Sequence, residues 1–170
     1  MDNLSESEEE KIRLEHEAAK LFMRCYEHDT GKEIRHIWHN RPMRPDVSCE
    51  FEGARLDLEI AHLYGSEAEA MMILGRELTE ITRAALTALE DISVDDRLLS
   101  ALNRILQNKA QKHYQSERVW LILRNAHPAW TADQIVALQH LIEVPEDHPF
   151  DQIWIVGDMS AASGIVRLYM

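Results

Sequence analysis

From Asp46 to Ala61 the chain alternates apolar and polar side chains on both sides of one glycine, and no other stretch constrains the fold as much. Val47, Cys49 and Phe51 point one way and Asp46, Ser48, Glu50 and Glu52 the other, because successive side chains of a strand face opposite sides. Leu56, Leu58 and Ile60 then alternate with Asp57, Glu59 and Ala61. The tetrad Glu52-Gly53-Ala54-Arg55 supplies the glycine of a tight hairpin. With Gly53 and Ala54 as the two turn residues, Glu52 pairs with Arg55, Ser48 with Glu59, and Asp46 with Ala61.

Around this hairpin the periodicities change. Residues 8–28 repeat apolar side chains at helical spacing and end at Thr30-Gly31, a stop signal. Glu33 to Trp38 reads as a first strand and Asn40 to Met43, with Pro42, as a turn. Helices are expected over about 67–90 and 95–115, broken at Glu90-Asp91-Ile92-Ser93. The apolar run within Arg118 to Arg124 reads as a buried strand. Thr131 is a good N-cap for a helix to about Glu143, and strands at 152–157 and 164–169 close the chain. The expected class is therefore α/β, a central mixed β-sheet flanked by helices in the order α-β-β-β-α-α-β-α-β-β. The 170 residues suit one domain, read here as 11–170 behind a flexible acidic leader at 1–10.

No apolar run approaches the roughly 20 residues that span a bilayer. Met1 to Glu10 carry five acids and no base, unlike a targeting peptide. A cytoplasmic protein is expected, with no membrane contact and with Cys25 and Cys49 reduced, since neither has metal-ligand spacing to a neighbour. The net charge of -12 argues against indiscriminate binding to nucleic acid. It is unevenly spread: Lys32, Arg35, Arg41 and Arg44 face only Glu33 within residues 31–44, and Arg97, Arg104, Lys109, Lys112 and Arg118 face only Glu117 within residues 97–118. These two basic islands fit either solubilising surface charge or a phosphate-bearing partner.

In the hairpin register above, Asp46 and Glu59 lie diagonally on one face, close enough to share a hard divalent cation with oxygen ligands. The same spacing also suits the solvated side of a hairpin. Helix periodicity adds two residues. On a wheel, Glu15 falls in the middle of the apolar arc of Leu14, Ala18, Leu21, Phe22 and Cys25, whereas Glu17 lies on the polar side. A carboxylate aimed at the core needs a compensating partner. Lys109 similarly centres the stripe of Leu98, Leu102, Ile105 and Leu106, with Lys112 nearer its edge. Glu15 and Lys109 either pair with each other, snorkel to solvent, or meet the Asp46 and Glu59 face.

Pro45-Asp46 on the second strand, the short hairpin, and Glu59-Ile60-Ala61 on the third, in an order of helix, three strands, helix and strand, resemble the PD-(D/E)xK, or restriction-endonuclease-like, nuclease superfamily. The resemblance covers roughly residues 8–125. It implies Asp46 and Glu59 as ligands of a catalytic Mg²⁺ or Mn²⁺, with the first-helix Glu15 joining them directly or through water. The lysine expected two residues after the second acid is Ala61 here. Some members take it from the neighbouring helix, and Lys109 has the direction for that. The implied activity is metal-assisted phosphodiester hydrolysis of DNA or RNA, with Asp46, Glu59 and Lys109 as the catalytic set and Ser48 a hydrogen-bonding neighbour. The alternative is a catalytically silent nuclease-like domain that binds a protein or nucleic-acid partner, or a second copy of itself. His36-x-x-His39, His62 and His113 read as surface or packing histidines, with His113 within reach of the site. Trp120, Trp130 and Trp154 read as core.

Overall fold

A computed structural model describes residues 6–40 and 44–170. Residues 1–5 of the acidic leader, and 41–43 of the expected Asn40 to Met43 turn with Pro42, lie outside the described residues. Six strands form one sheet in the order β1 to β6: β1 (Ile34–His39), β2 (Val47–Phe51), β3 (Ala54–Leu63), β4 (Val119–Asn125), β5 (Gln152–Val156) and β6 (Ile165–Tyr169). β3, β4 and β5 run parallel, and the outer pairings are antiparallel. The expected α/β class with a mixed sheet flanked by helices is present. Among the described residues no helix is long and apolar enough to cross a membrane.

Helix α1 (Glu6–Thr30) covers one face of the sheet. It begins inside the expected leader, because acidic side chains favour the positive end of the helix dipole and glutamate is a good helix former. Phe22 and Tyr26 of α1 pack on Trp120, Trp154, Phe51 and the apolar side of the hairpin. Rings at 5–6 Å in tilted and edge arrangements make this the aromatic half of the core. The opposite face is covered by α4 (Val94–Ala110) and α5 (Ala132–Ala137), through Leu98, Leu102, Leu106 and Ile135 against Leu121, Leu123, Ile153 and Ile155.

Several expected boundaries are corrected. The helix over 67–90 is two, α2 (Glu67–Ile73) and α3 (Glu80–Leu89), broken where Gly75 takes a φ of 71°. α4 stops at Ala110 rather than 115, and the helix after Thr131 ends at Ala137 and passes into a 3-10 turn, Gln139–Leu141. The hairpin turn is Glu52-Gly53, not Gly53-Ala54. Both turn residues have positive φ, 54° and 77°, as the primed turns that suit strand twist require. Ser48 therefore faces Asp57 and not Glu59. The register differs by two residues, so every side chain keeps its face.

One consequence of this register positions the site. β2 starts at Val47, opposite Leu58, whereas β3 runs on to Leu63. The last five residues of β3 thus have β4 on one side and no strand of the hairpin on the other. That open edge lies between α1 above and α4 below the sheet.

Candidate active site

Asp46 and Glu59 meet where β2 ends and β3 runs on. The Asp46 amide donates to Glu59 Oε1 at 3.3 Å, and the Ile60 amide donates to Asp46 Oδ2 at 3.0 Å, so the aspartate replaces the missing strand as acceptor. The two acids lie across from each other instead of diagonally, a result of the two-residue register change. Their face is not solvated: Asp46 is 4% and Glu59 2% exposed. The chain after α4 covers it, with Tyr114 donating to Glu59 Oε2 at 2.9 Å and Ser116 to Asp57 Oδ2 at 2.5 Å.

Lys109, in the last turn of α4, donates to Glu59 Oε2 at 3.2 Å. Arg44 donates through Nη1 to Asp46 Oδ1 and lies 3.4 Å from Glu59 Oε1 and 3.5 Å from Glu59 Oε2. One guanidinium nitrogen is thereby shared between the two carboxylates. Glu15 is buried on the α1 side, 3.5 Å from His39 Nε2, and its charge is felt at both Asp46 and Arg44. It does not pair with Lys109, whose partner is Glu59.

The electrostatics follow from three acids in little water. Burial, the hydrogen bond and charge of Glu59, and the charge of Glu15 push the Asp46 carboxyl up to about 8. Burial also acts to raise Glu59, but the hydrogen bond with Asp46 and the contacts with Lys109, Tyr114 and Arg44 outweigh it and hold Glu59 below the usual carboxylate range. The pair thus keeps one proton near neutrality. Burial and the Glu59 contact hold the Tyr114 phenol protonated as a donor.

The donor set fits a hard divalent cation in part. Two adjacent carboxylates, one of them retaining a proton because of burial and the neighbouring acids, are ligands that Mg²⁺ takes when water and phosphate oxygens complete its shell. Among the described residues no three of His, Cys, Asp and Glu converge into a metal cage. Asp46 and Glu59 are the ligand pair the geometry offers, and Glu15 stands behind them against His39.

Of the residues singled out from the sequence, Asp46, Glu59 and Lys109 come together, with Glu15 adjacent. Ser48 instead serves Asp57, donating to Oδ1 at 2.6 Å beside Arg55 at 2.8 Å. His113 is exposed beyond α4, and its neighbour Tyr114 takes the contact. Trp120 and Trp130 are fully buried and Trp154 nearly so. Among the described residues the basic islands are largely engaged: Arg118 clamps the hairpin tip through the carbonyls of Phe51, Ala54 and Arg55, and Arg35 pairs with Glu27, while Arg41 lies outside the described residues. Sequence reasoning missed Arg44 and Tyr114. Arg44 directly precedes Pro45-Asp46, which was a usable signal, whereas Tyr114 sits in a loop without periodicity.

A second buried polar cluster was also missed. Glu69 of α2, 2% exposed, lies 2.9 Å from His127 Nε2 and 3.8 Å from Arg97 Nη1. The Ala129 amide donates to His127 Nδ1 at 3.1 Å, which places the imidazole proton on Nε2, toward Glu69. Nδ1 accepts from the Ala129 amide and Nε2 faces Glu69, so the cluster ties α2 to the loop after β4. Comparison of the chain with family models, with curated proteins and with solved structures finds no match.

Proposed function

We propose that the chain is a metal-dependent nuclease of the PD-(D/E)xK kind with a restriction-endonuclease-like fold. Asp46 and Glu59 would hold Mg²⁺ or Mn²⁺, Glu15 would act through water, and Lys109 would replace the lysine absent at Ala61. The observation that carries this reading is the Lys109 contact: an ammonium from the last turn of α4 reaches the second acid of the motif at 3.2 Å. The element order α1, β1 to β3, helical crossover and parallel β4 supports the fold assignment. When bound, the cation would supply an activated water and charge stabilisation at the phosphate. Lys109 would add positive charge beside a bound phosphate, Tyr114 fixes Glu59 by a hydrogen bond, and Asp46 would have to be deprotonated to serve as a ligand.

A second reading, a silent nuclease-like domain that binds a partner protein or nucleic acid, is favoured by Arg44, which already bridges the two carboxylates. Incubation with labelled single-stranded and duplex DNA and RNA, with and without Mn²⁺, separates the two. The nuclease reading expects Mn²⁺-dependent products that Glu59→Gln abolishes. Intact substrates, together with no Mg²⁺ or Mn²⁺ binding heat in calorimetry, would favour the silent domain.

A further inference from the structure

A pocket of about 340 Å³ opens off the free edge of β3, beside the acid pair, between α1 and α4. Its size is that of a small-molecule site, not of a groove that follows a duplex. Two properties of its lining point to one kind of occupant. Lys11, Arg44, Arg76 and Lys109 bring four cationic side chains to one pocket, against two lining acids, Glu10 and Glu15, with Arg44 and Lys109 on the acid pair and Arg76 on Glu10. His62 and Tyr64 line it as well, with rings 17° from parallel and centroids 5.9 Å apart. Burial beside Arg124 lowers His62 to about 4, so at neutral pH its ring is uncharged. Cations for a phosphate next to flat rings for a base are the two elements of single-strand recognition.

The pocket is also bridged on one side by a surface ion pair. Arg76, in the turn after α2, donates to Glu10 of α1 at 2.6 Å, and this pair joins the two walls. A strand running through in both directions, or a stacked duplex, meets that bridge. A chain end does not.

Resting on the nuclease reading above, we infer that this pocket receives the terminal nucleotide of a single-stranded nucleic acid, so that the site works from strand ends. Phosphate oxygens meet the cations, the terminal base lies along His62 and Tyr64, and the phosphodiester to the next nucleotide faces Asp46 and Glu59.

The test is anisotropy of a fluorescein-labelled linear single-stranded oligonucleotide in Ca²⁺, competed with unlabelled linear DNA, linear RNA, a circularised single strand of the same DNA sequence, and a hairpin-capped duplex without free ends. Linear strands should compete roughly tenfold better than the circle or the capped duplex. Arg76→Ala and Tyr64→Ala should each weaken binding by roughly tenfold, and Lys112→Met, away from the pocket, should not. Because Tyr64 is half-buried, its variant is read alongside the exposed Arg76 variant. The DNA and RNA arms identify the sugar. Equal competition by circle and linear strand, or no binding of any strand, overturns the inference. End-dependent binding without cleavage in Mn²⁺ leaves it standing and sinks the nuclease reading. Cleavage of circles in Mn²⁺ does the reverse.

Discussion

Lys109 Nζ lies 3.2 Å from Glu59 Oε2 although the two residues are 50 positions apart, one in the last turn of α4 and the other in the middle of β3. The ammonium is mostly buried there, at 16% side-chain exposure, and shares Glu59 Oε2 with the Tyr114 hydroxyl. Its neighbour Lys112 is exposed beyond the helix. The contact gives Lys109 a definable task, and the other relationships around it yield measurable consequences.

Lys109→Met keeps the apolar stem and removes the charge. Cleavage should fall by on the order of 10²-fold or more, by analogy with loss of one positioned charge-stabilising group. Thermal stability should change little. Lys112→Met, at an exposed position away from the acid pair, should leave cleavage and binding nearly unchanged. Equal losses of cleavage in the two variants would remove Lys109 from the proposed catalytic set.

Asp46 keeps a proton until about pH 8, so a divalent cation has to displace it. Mn²⁺ titrations at pH 7 in buffers of different ionisation enthalpy should report release of a proton, and affinity should rise between pH 6 and 8. A binding heat independent of the buffer would contradict the proposed ligand.

The same proton gives a stability profile in chelator. The folded carboxyl titrates near 8 and the unfolded one near the ordinary value of 3.8, so the folded state holds the extra proton between them and stability falls as pH rises. His16, His62, His127 and His148 are lowered by burial and act oppositely, but only below about pH 6.5. From about pH 6.5 to 8 the Asp46 slope stands alone, at most on the order of 2 kcal/mol, or several degrees in Tm. Asp46→Asn should flatten it in a calorimetric scan.

Arg44 Nη1 is held between Asp46 and Glu59, where a metal ion would also be drawn. Arg44→Ala should lower Tm in chelator, because two buried acids lose a cation, and should enlarge the Tm gain on adding Mn²⁺. A gain smaller than that of the wild type would show that Arg44 assists the metal.

Gly65 has a φ of 101°, and a β-carbon there would lie 1.9 Å from Glu69 Oε2. Gly65→Ala should therefore displace Glu69 from His127 and Arg97 and cost about 3 kcal/mol or more. His127→Ala, which leaves Glu69 without its nearest partner, should cost a similar amount in denaturant unfolding.

Local periodicity in the sequence determined which way side chains point. The alternation of 46–61 put Asp46, Asp57 and Glu59 on one face in any even register, and the helical wheels directed Glu15 and Lys109 inward, because these periods depend only on residues a few positions apart. Tertiary structure decided what those directions meet. The hairpin register followed from a turn with two positive φ values, Glu52 and Gly53. The open edge of β3, the burial of its polar face under Tyr114 and Ser116, the Arg44 bridge and the Glu69 contacts with His127 and Arg97 join segments distant in sequence or lie in loops. No local period encodes such contacts, since they form only when the sheet and its covering helices pack together.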